Sequence, residues 1–390
     1  MTYSRTFLAC VIKISCLSLI VSWFSGCHIW NAEGNADKIK PKEINLAQRN
    51  IIPQEWKPLF IGLKGYEEDI TKVYFVDDEY GWVIGASGII FHTTNGGKTW
   101  IKQQSNTKLQ LRDIQFTNRK NGWIFGGDLI EKNTFDRKIH NVLLHTKDGG
   151  MSWQKKEIPL PNIYWELNFL DSENGWLLGW ETNSFGQSIV AHTTDGGKSW
   201  KSYKVPKAED DSGGASIKTV SFVSPNEGWA AGDLTIRHTT DGGITWNIQY
   251  VKPFRSEKYY RFRWVQFVDS QTGWAGGAMS GEMGNFTGII RTTDGGKTWS
   301  ESILEQSLNG LHFLNSTTGV GVGYEFVSAD LNRQHSSLNS EGIIMLTTDG
   351  GSTWKVIKRL PDENLFNLVF AKNGSGWVIG ENGAVLHYKP

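Results

Sequence analysis

The sequence is short of cysteine and shows no surplus of charge of either sign. Of its 3 cysteines, Cys10 and Cys16 fall inside a segment with the features of an export signal, which leaves Cys27 as the one cysteine of the mature chain. A single thiol can build neither a disulfide framework nor a cysteine-ligated metal site, so the fold must be held by its core. The 40 Lys and Arg residues are balanced by 40 Asp and Glu. Nucleic-acid binding rests on an excess of cations meeting phosphate. No nucleic-acid partner is therefore expected, and no metal or cofactor.

At the amino end, Arg5 and Lys13 supply positive charge and Ile14 to Phe24 is a short, mostly apolar stretch. Phe24-Ser25-Gly26-Cys27 then puts small residues before a cysteine. The arrangement resembles a bacterial lipoprotein signal, in which Cys27 would be lipidated and become the mature N-terminus. An uncleaved signal anchor is the alternative, although Lys13 interrupts its apolar run. Residues 1–27 are thus expected to be the signal and 28–50 a polar, mixed-charge tether. The folded domain is expected at 51–390, exported and lipid-anchored on the non-cytoplasmic side of a membrane.

What the chain has in abundance is Trp and Gly, 18 and 44 residues. They recur in two phrases. The first is Thr-x-Asp-Gly-Gly-x-Ser/Thr-Trp, ending at Trp100, Trp153, Trp200, Trp246, Trp299 and Trp354, with Asn95 in place of Asp in the first copy. The second is Gly-Trp-x-x-Gly, around Trp82, Trp123, Trp176, Trp229, Trp274 and Trp377, with Gly319-Val320-Gly321-Val322-Gly323 in the same place without its Trp. A Phe stands six residues before each Gly: Phe75, Phe116, Phe169, Phe222, Phe267, Phe313 and Phe370. Another apolar residue stands two before each Phe, which is the strand period.

Each repeat therefore reads as four short strands. Strand A ends at the Phe, B carries Gly-Trp-x-x-Gly, C is the apolar run before the Asp-Gly-Gly phrase, and D begins at that phrase's Trp. Asp148, Asp195, Asp241, Asp294, Asp349 and Asn95 then act as turn residues. Each accepts local N–H bonds while glycine supplies positive φ. Seven A–B pairs at this spacing predict an all-β fold, a seven-bladed β-propeller of four-stranded antiparallel blades. The last repeat stops after strand C, and Glu55-Trp56-Lys57-Pro58-Leu59 precedes the first strand A. An N-terminal strand is therefore expected to complete the last blade, which removes the open edges of the array.

Connections in such a blade alternate between two faces. The A–B offset and the C–D phrase are fixed, whereas B–C spacing varies from 9 residues (Gly232 to Asp241) to 26 (Gly323 to Asp349). Insertions thus project from one face, where binding is expected. Strand A enters from that face, and the residues four before the Phe include Arg112, Trp165, Lys218 and Arg263. The connection Lys252–Trp264 holds five basic and five aromatic residues, among them Arg255, Lys258, Tyr259, Tyr260, Arg261 and Trp264. Arg beside Tyr or Trp suits contact hot spots.

Other chemistry fits less well. His92, His145, His192 and His238 each stand three before a box Asp or Asn. Equivalent positions are spread around a ring, so these histidines cannot converge on one ion. One Asp per turn supplies too few oxygens for calcium. The Asp-Gly-Gly phrase resembles the Asp-box, or BNR repeat, of sialidases and some glycoside hydrolases, whose chemistry needs two carboxylates across a bond. Glu131, Asp136, Glu181, Asp210, Asp211, Glu257, Glu282 and Asp330 lie on the loop face, but no sialidase-type Arg-Ile-Pro motif is present. Trp165, Trp180 and Trp264 would be sugar-stacking platforms in a glycan-binding alternative.

Successive pairing of the two phrases, as in Gly81-Trp82-Val83-Ile84-Gly85 through Asn95-Gly96-Gly97-Lys98-Thr99-Trp100, resembles the photosystem II stability and assembly factor family over about residues 51–390. The resemblance implies a non-enzymatic, membrane-tethered scaffold that binds membrane-protein assembly intermediates through a basic patch. Arg112, Lys218, Arg255, Arg261 and Arg263 are its counterparts by strand position. It implies a periplasmic location, or the thylakoid lumen in a photosynthetic organism. A monomer is expected.

Overall fold

A computed structural model describes residues 56–58, 70–133, 136–158, 162–181, 187–206, 217–251, 259–280, 286–326, 340–361, 363–371, 374–380 and 385–389. The expected signal and tether, residues 1–50, lie outside them. The described residues form seven four-stranded antiparallel sheets, each with its strands in the order A, B, C, D. The A strands are Ile70–Phe75, Leu111–Phe116, Ile163–Phe169, Ile217–Phe222, Tyr259–Phe267, Ser307–Phe313 and Leu365–Phe370. In the seventh sheet the outer strand is Lys57–Pro58, with Lys57 opposite His387 and Pro58 opposite Leu386.

Two aromatic contacts repeat at nearly every blade. Six of the seven strand-A Phe residues lie face to face on the Gly-Trp ring of the preceding blade, among them Phe116 on Trp82 at 3.6 Å, Phe169 on Trp123 at 3.9 Å and Phe222 on Trp176 at 3.7 Å. Phe75 closes the ring on Trp377 at 3.7 Å. Each box Trp meets the Phe of its own blade edge-on, as Trp200 does Phe169 at 6.1 Å. Trp56 makes the corresponding contact with Phe370, at 6.3 Å and 82°. It thus stands where a box Trp would in the one blade without a box. Such pairs are worth about 0.5–1.5 kcal/mol beyond the area they bury. The glycine before each B-strand Trp is required by this packing, since a Cβ on Gly81 would fall 2.4 Å from the Phe75 ring.

Polar groups fasten the same seams. The indole N–H of Trp82, Trp123, Trp176 and Trp274 donates to the carbonyl of Gly149, Gly196, Gly242 and Gly350, the first box glycine of the next blade. Trp229 reaches the next blade through Gln249, which accepts from the indole and donates to the Gly295 carbonyl. Around the axis, buried side chains of one A strand satisfy the open edge of the next. Asp113 accepts from the Leu167 N–H, Glu166 from Val220, and Gln115 both accepts from Phe169 and donates to its carbonyl. Edge groups that would otherwise go unpaired in the interior are thereby bonded.

The box turns have one construction. In the third blade, the Thr193 hydroxyl donates to Asp195 Oδ1 and accepts from the Gly197 N–H. The Asp195 carboxylate accepts from the N–H groups of Lys198 and Ser199 and from the Ser199 hydroxyl. Gly196 and Gly197 have φ of 73° and 85°, where a side chain would be strained. Hydrogen bonds from the Thr298 hydroxyl and N–H hold the Asp294 carboxylate down at about 2. Gly196 N–H also donates to the Glu173 carbonyl in the A–B turn, and the other boxes repeat this bond. The A–B and C–D turns therefore share one face.

The histidines before the boxes lie flat on the Gly-Trp rings, for example His192 on Trp176 at 4.8 Å, and His387 does the same on Trp377 at 4.8 Å in the blade without a box. Burial pushes His92 and His145 down to about 4, which keeps the rings neutral at ordinary pH. They are packing elements of the repeat. Among the described residues no group of three or more His, Cys, Asp or Glu side chains is placed to hold a metal ion.

Candidate functional site at the loop-face mouth

The mouth is shaped by a backbone irregularity common to all seven blades. The A–B register shifts between the fifth and third residues before each Phe, at Ile70/Lys72, Leu111/Asp113, Tyr164/Glu166, Ile217/Thr219, Phe262/Trp264, Leu308/Gly310 and Leu365/Asn367. One extra residue on one strand bends it and re-aims a side chain. The residue left between the paired positions is Thr71, Arg112, Trp165, Lys218, Arg263, Asn309 or Phe366. Three of these reach across a seam: Thr71 donates to the Leu111 carbonyl, Trp165 to Lys218, and Asn309 to Leu365. Arg112 donates through Nε to the Gly127 carbonyl of its own blade, at 3.0 Å.

Lys218 and Arg263 are bulge residues of adjacent blades, and Arg261 lies near both. The Lys218 ammonium sits 4.8 Å from the centre of the Trp180 ring and 3.8 Å from Asp233. Asp233 pairs through its backbone with Arg261. Burial lowers the Lys218 pKa; Asp233 opposes the shift and Arg261 adds to it. Burial likewise lowers Arg263, with Tyr324 of the sixth blade opposing and Arg261 reinforcing. Burial lowers Arg112 too, against the pull of Asp128. The fourth and fifth blades thus hold Lys218 and Arg263 partly out of water with the exposed Arg261 near both, an arrangement that favours an incoming anion. Arg112 stands apart, on the second blade.

Trp264 and Trp165 depart from the expectation of mouth contacts. Trp264 is 2% exposed and packs with Trp274, Leu308 and Phe313 in the core between the fifth and sixth blades. It lies three before Phe267, beyond the bulge, where side chains turn into the seam. Trp165 is 5% exposed and meets Trp180 edge-on at 4.7 Å. Since Lys218 covers the Trp180 ring, this group does not present sugar-stacking faces. Tyr259 and Tyr260 pair with Ser280 and Met279, but their side chains lie outside the described residues, as do Cys27, Arg255 and Lys258 entirely. Of the loop-face carboxylates, Glu181 forms an ion pair with Lys204 at 2.9 Å. Asp210, Asp211, Glu257, Glu282, Asp330 and the side chains of Glu131 and Asp136 are outside the described set. Asp128, Asp233 and Tyr324 were not anticipated. Each directly follows or lies two residues beyond a B-strand glycine, an offset that placed them at the mouth end of strand B.

The fold and repeats define a seven-bladed propeller of the BNR class. The sequence profile of the family described as Photosynthesis system II assembly factor YCF48 matches at residues 48–156, 100–209, 151–253 and 207–328, most of the chain. The chain belongs to that family. Photosystem II stability/assembly factor HCF136, chloroplastic, from Arabidopsis thaliana is 28% identical over 102 residues. The match covers 25% of this chain and 25% of that protein. Its counterpart from Oryza sativa subsp. japonica is 30% identical over 99 residues, 23% of this chain and 20% of the relative. The chain thus matches a quarter or less of the length of these curated relatives.

Among solved structures, YCF48 bound to D1 peptide superposes with a TM-score of 0.56 at 18% identity, over 83% of this chain and 93% of that one. YCF48 from Cyanidioschyzon merolae gives 0.59 at 17%, over 86% and 99%. An ancestral GH74 enzyme gives 0.57 at 13%, over 85% of this chain and 46% of that one. At these identities the likeness is one of fold alone.

Proposed function

We propose that the protein is a non-enzymatic assembly scaffold which binds a segment of a membrane-protein intermediate at the loop-face mouth, as part of photosystem II assembly. Family membership supports the class, and YCF48, whose fold this chain shares, has been solved bound to D1 peptide. The observation that carries the site is the cation group of Lys218, Arg261 and Arg263 on adjacent blades, in which Lys218 and Arg263 are partly stripped of water. Arg112 on the second blade is a further contact in this reading, as are Arg255, Lys258, Tyr259 and Tyr260 from the sequence that leads into the fifth blade. The scaffold acts as a monomer, held on the non-cytoplasmic side of the membrane by a lipid on Cys27.

Reversing Lys218, Arg261 and Arg263 to Glu together should abolish co-purification of client protein from native membranes while unfolding stays cooperative and the melting temperature falls by only a few degrees. Unchanged capture would refute the site. For the anchor, Cys27→Ser should move the protein from the membrane fraction to the soluble fraction. Retention in the membrane would point to the uncleaved signal anchor instead.

A further inference from the structure

In three blades the strands run past the mouth, and two of these extensions are braced by a third strand. In the fifth blade, strand A (Tyr259–Phe267) pairs with strand B as far as Ser280, and strand C pairs Phe286 with Met279. In the sixth, Phe326 pairs with Ser340 while strand D reaches Pro361 opposite Glu341. The second blade differs. Its strands B (Gly122–Asn133) and C (Asp136–Thr146) stay paired out to Asn133 opposite Asp136. Strand A, however, begins at Leu111 opposite Gly126, and strand D ends at Lys156 opposite Leu143. The last backbone bond on the inner side is Gly127 N–H to the Gln110 carbonyl.

From Asp128 opposite His140 to Asn133 opposite Asp136, this blade is therefore a two-stranded ribbon with neither edge paired to a third strand among the described residues. A lone ribbon is marginal in water, and an open strand edge is a template for another extended chain. Braced extensions on the fifth and sixth blades show that the fold covers such edges elsewhere. The ribbon is rooted at the mouth, because Arg112 donates to the Gly127 carbonyl and Asp128 accepts from the Gln110 N–H.

We infer that the inner edge of the second-blade ribbon, residues 128–133, is a docking edge for an extended segment of the client polypeptide, which adds to it as a third strand. Recognition is through backbone hydrogen bonds, with side-chain selectivity left to the mouth cations. The inference rests on the mouth being the client site. It commits to a peptide strand over a second copy of this chain because the edge is continuous with that mouth.

The test uses the full chain and overlapping synthetic peptides that tile D1. A peptide that binds should slow amide exchange at residues 128–133. Replacing Asp128–His140 by a two-residue Asn-Gly turn, which joins the paired residues Gly127 and Asn141, should weaken that peptide tenfold or more without changing the melting temperature. N-methylation of alternate peptide amides should abolish binding in one set and spare it in the other. A peptide that loses affinity with the Lys218, Arg261 and Arg263 reversals, but not with the ribbon replaced and without slowed exchange, would overturn this inference alone. Self-association that the ribbon replacement abolishes, with peptide binding unaffected, would assign the edge to a second copy instead. If no peptide binds the unaltered chain, the proposed client site falls with it.

Discussion

The seams between the first six blades and the two seams that flank the seventh are built differently. From the first blade to the sixth, each seam has a Trp–Phe stack, and each indole N–H is bonded to the next blade directly or through Gln249. Between the sixth and seventh, Val320 replaces the Trp, and Phe370 meets Trp56 and His312 instead. Between the seventh and first, the Trp377 stack is kept, at 3.7 Å, but its N–H has no acceptor among the described residues. The difference separates two contributions that coincide elsewhere: ring packing, present at both kinds of seam, and the hydrogen bond, present at one.

Substitutions can therefore tell them apart. Trp176→Ala removes a fully buried ring, its stack and its bond to Gly242, and should cost about 4 kcal/mol in denaturant unfolding. Trp377→Ala should cost about 1 kcal/mol less, the net worth of the missing hydrogen bond. Equal losses would mean that the bond contributes nothing.

A smaller effect is expected within one blade. Thr193→Val keeps the shape but leaves the Gly197 N–H without its acceptor, at about 1–3 kcal/mol in the same assay. Thermal melts at graded pH probe the histidines that cover the Gly-Trp rings. In the unfolded chain they take up a proton near 6.5, whereas in the fold His92 and His145 resist until about 4. The unfolded state then binds more protons across that window. Stability should be full above pH 6.5 and decline as pH falls toward 4. A flat profile there would contradict neutral, stacked rings. Smallest of all, reversing the mouth cations removes only the Lys218 contacts with Trp180 across one seam and with Asp233, and should lower stability by about 1 kcal/mol.

The fold was legible because its signals are local and repeated: a fixed Phe-to-Gly distance and a turn phrase that needs glycine at positive φ. Trp56 could be recognised as a surrogate box Trp from its spacing alone. The mouth was legible only in part. Period-two alternation tells which side of a strand a residue faces, but a bulge resets that count without leaving a mark in the pattern. Trp264 was misplaced for this reason, since it sits one residue past the bulge and turns into the core. Arg263, on the bulge itself, kept its position at the mouth. The proximity of Lys218 to Arg261 depends on a contact between blades, which no spacing within one repeat encodes.

Uniform seams raise a problem that the seventh blade answers. A Phe that fits the Trp of its predecessor fits almost any other blade's Trp as well, so equivalent surfaces give an assembling ring no means of counting. It could skip a unit, or borrow one from a neighbouring molecule. The seventh sheet draws strands from both ends of the chain, and Trp56 completes a seam that has no duplicate. This seam marks where the ring begins and ends, and so limits the number of blades that can close it.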